Sequence, residues 1–139
     1  MDVPVYSIES DADGAFEYVN RFYTIYASSF QKGIVQKRGG EIISACVYHE
    51  FNGTNVFMHI AGKPGTNWLT RGMLYWCFHY PFEQLGCKRV TGWIEADNLA
   101  SRRFAERTGW THEATLEGAG RDGVDVLIYK MRREDCRYV

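Results

Sequence analysis

Glu95-Ala96-Asp97-Asn98-Leu99-Ala100-Ser101-Arg102-Arg103-Phe104-Ala105-Glu106-Arg107-Thr108-Gly109-Trp110 is the stretch whose reading decides the fold of this chain. Asn98 carries a side-chain oxygen able to accept from the orphan N–H groups that open a helix. Gly109 supplies the left-handed residue that closes one. Between them, residues 99–108 read as a short capped helix. Immediately upstream, Val90, Gly92, Ile94 and Ala96 alternate with Thr91, Trp93 and Glu95, so residues 89–96 read as a strand.

Working outward, residues 68–85 are apolar at Leu69, Met73/Leu74, Cys77/Phe78, Pro81/Phe82 and Leu85, a helical spacing. Pro81 removes a backbone donor, which predicts a kink or early end near Phe78, and Gly86 suits the position just past the helix. Further back, residues 55–61 read as a strand, and Asn52-Gly53 turns the chain into it from a strand at 41–51. That strand is joined to another at 34–37 through Arg38-Gly39-Gly40, whose glycines permit the positive φ of a tight hairpin. Residues 14–30 place Phe16, Val19, Phe22/Tyr23, Tyr26 and Phe30 at amphipathic spacing, with Asp11 or Asp13 as cap. Downstream, strands at 110–117 and 124–132 flank the turn at 118–123. The expected order is α-β-β-β-α-β-α-β-β, an α+β mixed sheet with helices packed on it.

Composition sets bounds on function. A chain of 139 residues with no repeat or linker suits one domain over 1–139. Sixteen Lys+Arg against seventeen Asp+Glu gives a formal charge of −1, without the positive excess that nonspecific nucleic-acid binding needs. No apolar stretch approaches the roughly 20 residues that span a bilayer, so no membrane is expected. Met1-Asp2-Val3-Pro4-Val5 reads as neither basic leader nor apolar core, and a cytoplasmic location is the expectation. The histidines His49, His59, His79 and His112 form no His-x-x-x-His pair, there is no Cys-x-x-Cys, and no metal site is indicated. Neither a Gly-x-Ser-x-Gly elbow nor a Walker-type Gly-Lys-Ser/Thr occurs. Of the four cysteines only Cys87, beside Lys88 and Arg89, has a charge context for reactivity, and a small buried residue at a strand start is the plainer reading.

One unit carries chemistry: a strand, a loop with Gly62, Pro64 and Gly65, then a helix start. Unpaired N–H groups and the helix dipole favour an anion there, with Arg71 adding a cation. The stretch from Glu95 to Trp110 resembles the Asn-x-x-Ala/Ser-x-x-x-x-Glu-x-x-Gly-Phe signature of the Gcn5-related N-acetyltransferases (the GNAT superfamily), and the element order resembles that fold along essentially the whole chain. Trp68-Leu69-Thr70-Arg71-Gly72, the run Tyr80 to Val90, and Cys136-Arg137-Tyr138 look like the small acetyltransferase-like proteins of tailed phages and prophages. The resemblance implies acetyl-CoA as cosubstrate, an amine as acceptor, direct transfer in a ternary complex, a bacterial host cytoplasm, and room for a homodimer.

It also implies a site. Acyl-CoA would lie where the strands at 55–61 and 89–96 splay apart, its pantetheine pairing with freed backbone as an added strand does. Ile60 falls where the backbone meets the pantetheine and polarises the thioester carbonyl. Gly62 and the amides of Trp68, Leu69, Thr70, Arg71 and Gly72 would hold the pyrophosphate, Asn98 would border the cofactor, and Arg103 would meet its 3′-phosphate. His59, beside Ile60, is the expected general base, with Glu50 and Glu95 as lesser candidates; a half-buried histidine bonded to the next strand is the plain alternative. Three departures from the family pattern stand out. The loop lacks the family's leading polar residue and glycines, the tyrosine that protonates the thiolate falls at Ala105, and residues 56–61 hold no glutamate. The altered loop and Ala105 are the features that favour the rival reading, a catalytically silent protein of the same shape that binds a host or phage partner. A nucleotide-directed modifier using Arg102, Arg103 and Arg107 is a third.

Overall fold

In the computed structural model, which describes residues 5–139, seven strands form one mixed sheet in the order β1-β2-β3-β4-β5-β7-β6. The expected absence of a leader at Met1–Pro4 falls outside the described residues. Strand β1 (Tyr6–Ser10) precedes helix α1 (Ala12–Asn20); β2 (Gln31–Arg38), β3 (Glu41–His49) and β4 (Asn55–Gly62) follow as antiparallel neighbours. Then come α2 (Arg71–His79), β5 (Arg89–Glu95), α3 (Leu99–Thr108), β6 (Thr111–Leu116) and β7 (Val126–Arg132).

The local signals act as read. The Asp11 carboxylate accepts from Gly14 N–H at 2.9 Å and caps α1. Asn98 accepts from Ser101 N–H at 3.2 Å, and Gly109 (φ 90°) ends α3. Gly39 and Gly40 take φ of 57° and 85° in the β2–β3 hairpin. After His79 the helix widens into one π-helical turn, Tyr80–Gln84, where the Leu85 amide donates to the Tyr80 carbonyl at 2.9 Å. Pro81 has no N–H to keep the tighter pattern going.

Three expectations are corrected. An unforeseen strand, β1, pairs antiparallel with β2. Helix α1 stops at Asn20 rather than at Phe30: the Asn20 side chain accepts from the Ile25 amide at 3.0 Å and folds residues 21–30 into a loop. Helix α2 begins at Arg71, not Trp68, because Thr70 is its cap.

Alternation along β4 and β5 sorts the two faces. Val56, Met58 and Ile60, with Val90 and Ile94, join Met73, Cys77, Phe78 and Phe104 in the larger core under α2 and α3. Ala61 packs with Val35, Ala45 and Val47 beneath α1, so His59 lies on that side too. Among the described residues no helix is long and apolar enough to cross a membrane.

Candidate active site

Strands β4 and β5 are parallel neighbours over only three registers, Asn55↔Arg89, Val56↔Val90 and Phe57↔Thr91. Beyond them β4 keeps its antiparallel partner β3, and β5 keeps β7. Residues 58–62 and 92–95 therefore diverge from each other as a wedge. Because N–H and C=O of one residue point the same way along a strand, Met58, Ile60 and Gly62 turn their main chain into this wedge. The expected gap between the two strands is present.

What fills the wedge comes from elsewhere in the chain. The Tyr23 hydroxyl, from the loop after α1, donates to the Ile60 carbonyl at 2.8 Å, with Ser101 beside it. Its hydroxyl end is enclosed, and burial pushes the phenol's pKa up, so it stays protonated. Ala105, Phe104 and Trp110 close the slot toward α3, leaving about 20 Å³, space for no more than a water. On the loop side the Trp68 indole lies flat against Gly62: a Cβ there would stand 2.1 Å from the ring. The ring also stacks toward Phe104 at 6.3 Å.

Buried Gln36 fixes the loop that carries this ring. Its Nε2 donates to the Trp68 carbonyl (2.6 Å) and to Ser44 Oγ (3.0 Å), and its Oε1 accepts from Thr70 Oγ1 (2.6 Å). Thr70 Oγ1 in turn accepts from the Met73 amide at 3.1 Å. The Arg71 and Gly72 amides, in the exposed first turn of α2, have no carbonyl within the helix to bond. Leu69 packs against the larger core, and Arg103 is exposed on α3. Arg102 instead donates to the Ala96 carbonyl at 2.9 Å.

On the α1 face the wedge opens into a cavity of about 670 Å³. His59 and His49 stand on its wall with Nε2 atoms 2.7 Å apart and rings stacked, so one proton lies between them. His59 is 8% exposed; burial first, then the His49 charge, lower its pKa to about 3. It is thus neutral at pH 7 and is a far weaker base than the ordinary titration range assumed for it. Half-buried His49 is lowered less, since Glu50, 3.8 Å from its Nδ1, opposes the desolvation. Glu50 holds a positive φ of 56°, an uncommon backbone for a residue with a side chain. Glu95 reaches the cavity from β5 and receives Arg121 Nε at 3.3 Å. Cys87 is buried with its thiol pKa raised, in keeping with a packing role.

Sequence reading left out Tyr23, Gln36 and His49 as site residues. Their roles depend on which strands adjoin, and only the aromatic crowding of Phe22-Tyr23-Thr24-Ile25-Tyr26 hinted at a lining.

The mixed seven-stranded sheet with its helices has the fold of GNAT-type N-acetyltransferases of known structure. No family model matches the chain, and no curated protein sequence does. Among solved structures it is similar to a Vibrio cholerae spermidine N-acetyltransferase, SpeG, in its N152L mutant (TM-score 0.76, 12% identity, 96% of each chain). The V. cholerae spermidine/spermine N-acetyltransferase with manganese gives 0.72 at 12% identity over 91% of this chain and 92% of the other. The Campylobacter jejuni N-acetyltransferase PseH gives 0.65 at 11% over 94% and 99%. Likeness at such identity shows the fold.

Proposed function

We propose that this chain is an acyl-CoA-dependent N-acetyltransferase that acetylates an amine in a ternary complex. The observation that carries this reading is the parting of β4 and β5 after Phe57↔Thr91, which turns the main chain of Ile60 into a wedge joined to the 670 Å³ cavity. The fold's likeness to N-acetyltransferases of bacteria supports it. The residues present fit a pantetheine chain with a phosphate end. Backbone faces the wedge, and the Arg71 and Gly72 amides open α2 with Arg71 beside them. The slot as it stands is closed, so Trp68 must leave Gly62 and Tyr23 must release the Ile60 carbonyl for the ligand to seat.

When bound, acetyl-CoA supplies the reactive carbon: an N–C bond to the acceptor forms, the C–S bond breaks, and CoA leaves as thiolate. Ile60 N–H stabilises developing negative charge on the acyl oxygen, worth about 3 kcal/mol in comparable sites. Thr70 orders the first turn of α2 by holding the Met73 amide, leaving those of Arg71 and Gly72 for phosphate. Gly62, Leu69 and Asn98 shape the slot's edge, and exposed Arg103 suits the 3′-phosphate. The His49–His59 pair takes the acceptor's proton as a unit and passes it to solvent. Tyr23 brings a protonated hydroxyl into the slot where Ala105 has none. A phage or prophage source and the bacterial cytoplasm rest on the sequence resemblance through Trp68 to Gly72 and Tyr80 to Val90, and a homodimer remains part of the same reading.

Acetyl-CoA at 100 times its Kd should stabilise the fold by about 2.7 kcal/mol, with thiol release once an amine is added. No thermal shift at millimolar acetyl-CoA, and no thiol release, would leave a binding scaffold of acetyltransferase shape.

A further inference from the structure

We infer that the acceptor is a small aliphatic di- or polyamine, which keeps a positive charge after its reacting nitrogen has lost a proton. The inference rests on the transferase reading and deepens it. The cavity on the α1 face is lined by three carboxylates, Glu50, Glu95 and Asp97, against one guanidinium, Arg121. Arg121 is committed to Glu95, with Nε 3.3 Å from both carboxylate oxygens, and to Thr24 through Nη1. The histidine pair beside Glu50 is neutral at pH 7, so the lining carries a formal charge of about −2.

The remaining lining is aromatic. Phe57 stacks on His49 at 5.4 Å, and Phe22, Tyr26 and Trp93 are exposed to 44%, 76% and 40%. Ring faces beside carboxylates attract alkylammonium groups and repel anions. A nucleophilic amine must be neutral at the moment of attack, and a nearby carboxylate would hold it protonated. The free negative charge therefore belongs to a second ammonium of the acceptor, held by Glu50 or Asp97 while the reacting nitrogen faces the His49–His59 pair. A monoamine would leave that charge uncompensated once deprotonated. A volume of about 670 Å³ falls in the range of small-molecule sites, roughly 300–1,000 Å³, rather than that of a protein interface.

The test compares diaminobutane, spermidine, n-butylamine and a lysine-containing peptide as acceptors, with thiol release from acetyl-CoA as readout. The diamine or triamine should exceed butylamine in kcat/KM by about tenfold or more, the worth of one charge-assisted hydrogen bond. That gap should narrow as salt rises. Glu50→Gln and Asp97→Asn should each raise KM for the diamine, by up to about tenfold, with kcat falling much less. Butylamine or the peptide performing as well as the diamine would overturn the inference. If no acceptor turns over, calorimetry of diaminobutane against the protein decides. Salt-sensitive binding lost in Glu50→Gln upholds the cation site and rejects the transferase reading, whereas no binding rejects both.

Discussion

A single methyl group added at Gly62 tests the closed state of the slot. Gly62 needs no positive φ, so the backbone accepts alanine, but the new Cβ would lie 2.1 Å from Cδ2 and Cε2 of Trp68 and 2.4 Å from its Nε1. Carbon atoms rest about 3.5–4.0 Å apart, so the ring must retreat by about 1.5 Å or leave the slot. Overpacking of this kind costs about 1–3 kcal/mol. For a chain of this size that is a fall in Tm of about 2–4 °C per kcal/mol. Denaturant unfolding of Gly62→Ala, Trp68→Ala and the double variant forms a cycle. Gly62→Ala should be nearly free in the Trp68→Ala background, giving a coupling of at least about 1 kcal/mol, and Trp68 emission should shift as the ring meets water. If acetyl-CoA must also displace this ring, Gly62→Ala removes part of that work, and affinity rises by about tenfold per 1.4 kcal/mol. Equal destabilisation in both backgrounds, or an unmoved emission spectrum, would refute the packing that closes the slot.

Three further perturbations check other parts of the account. His59 takes up protons far less readily folded (pKa about 3) than unfolded (near 6.5), so the unfolded chain binds more protons between these values. Stability should fall as pH drops from about 6.5 toward 3, and in His59→Gln the slope should flatten by up to about 1.4 kcal/mol per pH unit; parallel profiles would remove the buried neutral pair. Glu113, drawn down to about 2 by hydrogen bonds from Arg89 first and then Lys130, is stabilising above about pH 4.5 and loses this as pH falls toward 2. Glu113→Gln should blunt that acid loss by a small amount, since the group is solvent-screened, and an unchanged acid midpoint would count against the pair. Asn98→Ala removes the α3 cap and should cost about 1 kcal/mol in urea unfolding; no loss would mean that another group caps the helix.

The parts of the fold that could be read from sequence are those set by neighbours along the chain. Asn98 and Gly109 bound α3 because a cap needs only residues a turn away, and Pro81 altered α2 through its own missing N–H. Residues 21–30 misled because their aromatic spacing continues a helical period, while the Asn20 side chain and the Tyr23–Ile60 bond draw the chain away from it. Strand β1 is held by pairing across α1, with Ile8 opposite Gln36, and the pattern of Tyr6–Ser10 announces no face. The site follows the same division. Ile60 and Asn98 entered as site candidates through the family resemblance, whereas the His49–His59 contact exists only because Val47 pairs with His59 and His49 with Phe57, a register no local pattern encodes. Trp68 against Gly62 is likewise a tertiary fact.

The most direct measurement is amide hydrogen exchange with and without saturating acetyl-CoA. Main-chain pairing in the wedge predicts slowed exchange at Met58, Ile60 and Gly62 and at Arg71 and Gly72, with little change along β6. Bound acetyl-CoA that leaves those amides exchanging at their unliganded rates would contradict the account at its centre.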